Sequence, residues 1–310
     1  MPYSSFSSLL EDAQVEGRSL AECVQSREAI ESEISEAEVR ARLSEVLKIM
    51  RSAIQQGSQP DIRSRTGLTG GDAATILKAV DSPGAVNVVG KPFTHVMAAS
   101  LATVELNAAM GRIVAAPTAG ASGVLPGVFF TIANSHGLDD DTLIDGLLIA
   151  GAIGACFAAK ATLSGAAGGC QAEVGTAAAL TAAAVAYMLA QPSESPVDVD
   201  SQEELQSPDY NEAVGHAASL AMQGQLGLVC DPVAGLVEIP CIVRNATGAA
   251  VALAGAQMAL SGIRFPIPLD EVIETASRVG AAIPPSLRET AKGGLATTAV
   301  GKAIAKELGV

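Results

Sequence analysis

The chain has 310 residues, of which 49% are hydrophobic, so it can bury a large core in one large domain or two ordinary ones. Its net charge of −14 argues against a nucleic-acid partner and against an anionic membrane surface, because both bind through basic patches. The same acidic balance fits ordinary solubility or a high-salt cytoplasm.

Residues 1–60 are predicted to form an N-terminal helical arm that packs on the rest of the chain. A single apolar stripe at helical spacing supports this prediction, and the helix that carries it is expected to end at Gly57. No basic segment followed by an apolar run opens the chain, so no secretory signal is predicted. The stripe consists of Val39, Leu43, Val46, Leu47, Met50 and Ile54.

Helices are also predicted along most of the remaining chain. Asp72 is the expected N-cap of a short helix that ends near Val80. The runs "GAVNVVG" and "GLVEIPC" are the only β-like segments, and both are short, so the predicted fold class is all-α. The further predicted helices cover residues 94–109, 128–135, 142–159, 173–190, 212–226, 246–260, 269–279 and 298–307.

Two of these segments are apolar enough to raise the question of a membrane. The uninterrupted apolar runs at 146–159 and 176–190 are shorter than the roughly 20 residues that a membrane-spanning helix needs. We therefore expect buried core helices and no membrane partner. Residues 191–209 are polar and contain three prolines, which predicts a surface insertion between two buried helices.

The five cysteines are an odd number in a long chain, so a disulfide framework is not expected, and the thiols are free, metal-bound or catalytic in a reducing compartment. Cys170, Cys230 and Cys241 lie in the turn-forming sequences "SGAAGGCQAEVG", "LVCDPVAG" and "EIPCIVRN". Thiolates from separate turns are what an iron–sulfur cluster needs, although spacing alone leaves structural thiols as the alternative. Cys23 and Cys156 lack such a context and are predicted core or surface thiols.

Polar groups near these cysteines are further candidates. Glu173 and Asp231 are carboxylates next to Cys170 and Cys230, each expected to support the site or to cap a helix. The turn "KGGLATT" at 292–298 is predicted to line the same pocket.

Residues 111–127 are predicted to be too broken for helix, and we call the part with the sequence "AAPTAGASGVLPG", at 115–127, the PTAG loop. A Gly/Ser/Thr loop that feeds a helix offers backbone N–H groups to a carboxylate or phosphate, and Thr118 and Ser122 add hydroxyl donors. A tight turn between helices is the alternative. The loop does not match the nucleotide pattern G-x-x-x-x-G-K-[ST], so ATP is not predicted.

Lys160 and the histidines are further candidates for catalytic groups. Lys160 precedes a glycine-rich loop, where a Schiff-base lysine for pyridoxal phosphate is one hypothesis. A lysine at a helix C-terminus is favoured instead, because the strand-and-helix frame usual for pyridoxal enzymes is missing. His95, His136 and His216 show no metal-ligand spacing, although His95 is a possible base.

Five phrases in order carry a resemblance: "TGLTGGDA", "NAAMGRIVAAPTAGASGVLPG", "SGAAGGCQAEVG", "GLVCDPVAGLVEIPCIVRNA" and "LRETAKGGLATTAVG". From about residue 66 to residue 301 the chain resembles the alpha chain of the iron–sulfur-dependent L-serine dehydratases. The resemblance implies an all-α catalytic domain over residues 61–310, in the cytoplasm, that converts L-serine to pyruvate and ammonia. It also implies a separate beta chain as partner.

The resemblance further implies an oxygen-sensitive 4Fe-4S cluster held by Cys170, Cys230 and Cys241. Three ligands leave one iron open to act as a Lewis acid on the substrate, while the base that removes the α-proton stays unassigned. Some single-chain relatives end in a cysteine that caps the cluster, and this chain ends in "KAIAKELGV" without one. The residues expected to bind substrate are Thr118, Gly120, Ser122 and Asn245.

Two other functions stay open at this point. An iron–sulfur L-cysteine desulfidase would use similar chemistry to expel sulfide, and a non-catalytic helical binding subunit would hold no iron. Some family members carry Asn where Lys160 stands, which weakens a catalytic role for that lysine.

Overall fold

The structure is a computed structural model that describes residues 3–80, 82–190 and 210–310. Within these ranges it contains α-helices and no β-strand, so the predicted all-α fold is confirmed; a single bridge joins Cys230 to Arg288. The described helices, in chain order, are α1 (Phe6–Glu16), α2 (Leu20–Glu31), α3 (Glu36–Gly57), α4 (Asp72–Val80), α5 (Lys91–Ala108), α6 (Val124–His136), α7 (Asp140–Lys160), α8 (Gly165–Gly168), α9 (Thr176–Ala190), α10 (Tyr210–Gln223), α11 (Cys241–Leu260), α12 (Leu269–Ala282) and α13 (Ala299–Leu308).

The first three helices begin at serine caps. The side chains of Ser5, Ser19 and Ser35 each accept a hydrogen bond from the backbone N–H three residues later, which satisfies a donor that the helix leaves unpaired. The apolar stripe on α3 faces inward, since Val39, Leu47 and Met50 are buried.

The core is built around α9, which packs against α6, α7, α10 and α11. Nearly every residue of α9 is buried, and most are alanine. Small side chains bring neighbouring helix axes close together, so a wide all-α core forms here with few aromatic residues.

The PTAG loop is shorter than the sequence suggested, because α6 begins at Val124 and not at 128. The prediction that the whole of 111–127 is non-helical was therefore wrong for its last four residues. Pro126 is tolerated because it stands in the first turn of α6, where a backbone N–H has no helical partner.

The prediction that Asp72 caps α4 was also wrong. Asp72 is the first residue of α4, and the carboxylate of Glu105 on α5 accepts hydrogen bonds from the backbone N–H groups of Asp72 and Ala73 at 2.7 and 3.4 Å. The cap is supplied across a helix–helix contact, which local sequence does not reveal.

Two helical segments are long and apolar enough to cross a membrane by length and composition alone, Asp140–Lys160 and Gln171–Ala190. In the most apolar 18-residue stretch of each segment, 67% and 89%, respectively, is buried against the rest of the protein, as is usual for core helices. They are longer than the uninterrupted apolar runs in the sequence because the helices continue through polar residues at their ends.

Candidate metal centre

Three buried cysteines from separate parts of the chain meet at one place. Cys170 precedes a π-helical turn, Cys230 lies in an extended segment, and Cys241 is the first residue of α11. The Sγ atoms of Cys170 and Cys230 and a carboxylate oxygen of Glu173 all lie within 4.8 Å of one another. Cys241 is not part of that group of three, but its charge acts on Cys230 and the charge of Cys170 acts on Cys241.

The segment that carries Cys170 is fixed by its neighbours. Gly169 has φ +75°, and a methyl group on it would lie 2.8 Å from the carbonyl oxygen of Leu228, so a side chain here is excluded. The buried amide of Gln171 accepts from the N–H of Gly227 at 2.7 Å and donates to the carbonyl of Ala276, also at 2.7 Å. Sequence reasoning missed Gln171, whose partners lie far away in the chain.

The other two cysteines are held mainly by backbone contacts. The N–H of Cys230 donates to the carbonyl of Leu287 at 2.8 Å, and its own carbonyl accepts from the N–H of Glu289 at 2.7 Å. Ahead of Cys241, the buried carboxylate of Glu238 accepts from the hydroxyls of Thr66 and Thr69 at 2.8 and 2.7 Å. These contacts attach the "TGLTGG" loop and the C-terminal segment to the same centre.

Interactions between the thiols and burial give the three thiols different acidities. The neighbouring Cys230 thiol, with Arg244 nearby, lowers the pKa of Cys170 in spite of its burial. The same interaction together with burial raises the pKa of Cys230. Burial raises the pKa of Cys241 to about 12, with a further contribution from the charge of Cys170. A thiolate is therefore favoured at Cys170, and the thiolate is the form that binds metals.

Glu173 owes its position to a local change in helical geometry. Residues Gln171–Gly175 form a π-helical turn, and not the start of the regular helix predicted from residue 173. A π-turn rotates the side chains that follow relative to an α-helix, and such turns occur often at functional sites. Burial raises the pKa of Glu173, the hydroxyl of Thr118 lowers it, and the charge of Glu289 raises it further.

Arg244 and Asp231 form an ion pair beside the cysteines. Arg244 Nη2 lies 2.8 Å from Asp231 Oδ1, and its Nη1 donates to the carbonyl of Val229. Burial alone would lower the pKa of Arg244, but Cys170 and Asp231 raise it. Asp231 Oδ2 also accepts from the N–H of Leu295 at 2.7 Å, which places the "KGGLATT" turn beside this centre.

The PTAG loop is held by Asn245, one turn into α11. Its Oδ1 accepts from the N–H of Gly123 at 2.9 Å, and its Nδ2 donates to the carbonyls of Gly120 and Cys241 at 2.8 and 3.0 Å. Both amide hydrogens are thus used by the backbone. Asn245 connects the loop to the Cys241 end of α11.

The remaining PTAG residues differ in what they can offer a ligand. The hydroxyl of Ser122 is buried and donates to the carbonyl of Ala119 at 2.7 Å, so it is engaged within the loop. Thr118 and Gly120 face Glu173: the buried Thr118 hydroxyl lies near its carboxylate but makes no hydrogen bond to any described residue, so it stays available to a ligand, and a methyl group placed on Gly120 would lie 3.7 Å from Glu173 Oε1.

Other residues from the sequence analysis lie in different surroundings. Lys160 ends α7 and pairs with Asp270 at 3.1 Å, the helix-terminal position that was favoured over a Schiff-base role. His95 contacts the carbonyl of Lys91 in its own helix, and His216 accepts from the N–H of Phe265. Cys23 and Cys156 are buried thiols of the core. The predicted insertion at 191–209 lies outside the described residues.

Comparison with known proteins gives a consistent result. A family profile described as serine dehydratase alpha chain matches residues 15–197 and 207–296. A relative named probable L-serine dehydratase, alpha chain, from Bacillus subtilis is 39% identical over 277 residues, which cover 89% of this chain and 85% of the relative. The L-serine dehydratase, alpha chain, of Peptoniphilus asaccharolyticus is 36% identical over 292 residues, or 94% of this chain and 93% of the relative.

A longer relative also matches almost the whole chain. L-serine dehydratase 2 of Escherichia coli is 36% identical over 304 residues, which cover 95% of this chain but 61% of the relative. The profile match spans most of the sequence and includes all three cysteines of the centre. The chain therefore belongs to the serine dehydratase alpha chain family.

Proposed function

We propose that this chain is the alpha chain of an iron–sulfur-dependent L-serine dehydratase, which converts L-serine to pyruvate and ammonia in the cytoplasm. The observation that carries the proposal is the convergence of three buried thiols, from three separate segments, beside the PTAG loop. The names of the relatives support the same reaction.

The residues present fit a 4Fe-4S cluster. The three cysteines are unpaired by disulfides and nearly inaccessible to water, and the backbone approaches the Cys230 sulfur closely at Gly165. Thiolates are the ligands such clusters use, and glycine-lined surroundings leave room for them. When bound, a cluster with one iron not held by cysteine supplies a Lewis acid that helps hydroxide to leave.

The protein's own residues bind and orient the substrate in this proposal. The PTAG loop offers the Thr118 hydroxyl and its backbone N–H groups to the substrate carboxylate, and Gly120 leaves room for it. Asn245 holds the loop at a fixed position relative to Cys241. Ser122 contributes by shaping the turn, because its hydroxyl is already donated to Ala119. The base that removes the α-proton is not assigned.

The lengths of the relatives support a partner chain. This chain covers 85% and 93% of two relatives named alpha chain, but 61% of an E. coli relative named simply L-serine dehydratase 2. Because a chain designated alpha implies a partner chain, we infer a separate beta chain as that partner.

The test is an anaerobic iron and sulfide count, with an absorbance spectrum, on wild type and on Cys170→Ala, Cys230→Ala and Cys241→Ala. Each of these variants should lose cluster iron and pyruvate release from L-serine. Cys156→Ala removes an equally buried thiol outside the centre and should retain both. Pyruvate is measured with and without a candidate beta chain.

Two results would contradict the proposal. Wild type purified without oxygen that holds no iron, and is unchanged by loss of Cys170, would favour a binding subunit. Release of sulfide from L-cysteine without pyruvate from L-serine would favour the desulfidase.

A further inference from the structure

Glu173 has a position that the proposed function does not yet use. We propose that its carboxylate binds the ammonium group of the amino-acid substrate and so selects amino acids over hydroxy acids. This inference rests on the proposed function and names a residue for one part of the substrate.

The first argument is location. A Glu173 oxygen lies within 4.8 Å of the sulfurs of Cys170 and Cys230, and Oε1 lies beside Gly120 of the PTAG loop. A methyl group placed on Gly165 would lie 2.6 Å from Glu173 Oε2 and 3.4 Å from the sulfur of Cys230. The carboxylate therefore occupies the corner between the thiols and the loop.

The second argument is charge. The groups that act on Glu173 among the described residues are a neutral hydroxyl, Thr118, and another anion, Glu289, with no cation among them. The nearby Arg244 is already paired with Asp231 and directed at Cys170. A largely buried carboxylate among sulfur atoms is costly unless a cation reaches it, and none of the described side chains supplies one.

The third argument is the shape of the substrate. In an α-amino acid the carboxylate and the ammonium are attached to the same carbon, so their binding sites must adjoin. If the PTAG loop holds the carboxylate, a neighbouring anion is the natural partner for the ammonium. Glu173 is the carboxylate that lies against that loop, at Thr118 and Gly120.

The experiment compares the binding of L-serine with that of 3-hydroxypropionate. 3-Hydroxypropionate retains the carboxylate and the β-hydroxyl of L-serine but lacks its ammonium group. Affinities for both are measured by anaerobic calorimetry on iron-loaded wild type, Glu173→Gln and Glu173→Asp, together with iron content and circular dichroism. Glu289→Gln is the matched control, since it removes an exposed negative charge from the same neighbourhood.

We expect Glu173→Gln to retain iron and fold and to weaken L-serine binding at least about 30-fold, the cost of removing one partner of a buried charge pair. Its affinity for 3-hydroxypropionate should stay unchanged. Glu173→Asp keeps the charge and should retain part of the preference for L-serine. Glu289→Gln should weaken L-serine binding far less.

Several results would overturn the inference. Loss of iron in both Glu173 variants would make this residue a metal ligand. Equal weakening of both ligands would mean a general effect on the site, and unchanged affinity with lost turnover would indicate proton transfer. If iron-loaded wild type, assayed with the candidate beta chain, neither binds L-serine nor releases pyruvate from it, the proposed function itself fails. This outcome differs from a wrong role for Glu173, which would leave wild type able to bind and convert L-serine.

Discussion

Several polar residues of the centre act on backbone and not on a ligand. Gln171, Asn245 and Asp231 each satisfy N–H or C=O groups of segments distant in sequence. A buried backbone group without a partner costs about 1–3 kcal/mol, so one such side chain can decide where a loop lies. Sequence reasoning grouped Asn245 with the substrate-binding residues; its observed contacts favour a role in positioning the loop.

Gly294 provides a residue-scale prediction about the "KGGLATT" turn. Its φ is +56°, and a methyl group on it would lie 2.1 Å from Asp231 Oδ2. Gly294→Ala should displace Asp231 from Leu295 and Arg244 as well as strain the backbone, the strain alone costing about 1–2 kcal/mol. Urea unfolding and the iron count measure the two effects.

Gly227→Ala is the matched control for that substitution. Gly227 has φ +84° but nothing within 4 Å of an added methyl group, so it carries the backbone strain without the clash. Gly294→Ala should therefore lower the unfolding free energy more than Gly227→Ala does. Only Gly294→Ala should reduce the amount of bound iron. Equal effects of the two substitutions would show that contact with Asp231 is unimportant.

At the scale of elements, hydrophobic periodicity predicted where helices lie but not how the site helices begin. The stripe on α3, the bounds of α7 to within two residues and the start of α12 follow from local pattern. The π-turn after Cys170 does not, because Gln171 is fixed by partners on α12 and in the turn before Cys230. The start of α6 was missed because proline was expected to interrupt a helix here. Pro126 in fact lies in the first turn of α6, where proline is tolerated.

The cap between α4 and α5 gives a prediction about pH. Burial raises the pKa of Glu105 above its ordinary value of 4.5, although the N–H groups of Asp72 and Ala73 lower it. A carboxyl with a raised folded-state pKa stabilises the fold below its unfolded pKa and loses that contribution as pH rises through the folded pKa. The unfolding free energy of wild type should therefore fall, relative to Glu105→Gln, as the pH rises from about 4.5 toward neutral.

Denaturant unfolding across that range checks the sign. Glu11→Gln removes an exposed carboxylate and so accounts for the change in net charge alone. A difference between wild type and Glu105→Gln that stays flat, or grows with pH, would mean that ionised Glu105 is not penalised in the folded protein.

At the scale of the whole molecule, the sequence identified the candidate metal ligands better than it predicted how the segments that carry them come together. Short phrases around Cys170, Cys230 and Cys241 marked the thiols, because turn-forming residues are visible locally. The contacts that gather those segments, such as Glu238 with Thr66 and Asp231 with Leu295, join residues 172 and 64 positions apart. No local pattern reports such pairings, so the surroundings of the thiols had to come from the structure.

The N-terminal helices are also attached by contacts between residues that are distant in the sequence. The division into an arm at 1–60 and a domain at 61–310 stays a prediction, and Asp270 at the start of α12 is a place to test it. Its carboxylate accepts from the N–H groups of Phe6 and Ser7 at 3.1 and 3.0 Å, from the Ser7 hydroxyl at 2.6 Å, and lies 3.1 Å from Lys160 Nζ. A single side chain thus joins α1, α7 and α12.

Asp270→Asn should release α1 without unfolding the core. An amide keeps one acceptor but loses the charge that strengthens these hydrogen bonds, which are each worth about 1.5–3 kcal/mol when ionic. Hydrogen exchange of the α1 amides should accelerate at least about 10-fold, while the amides of α9 stay protected. Glu274→Gln, one turn later on α12 and 3.9 Å from the same lysine, is the control and should leave α1 protected. If α1 and α9 open together in Asp270→Asn, the N-terminal helices are part of one cooperative unit and the arm at 1–60 does not exist as a separate element.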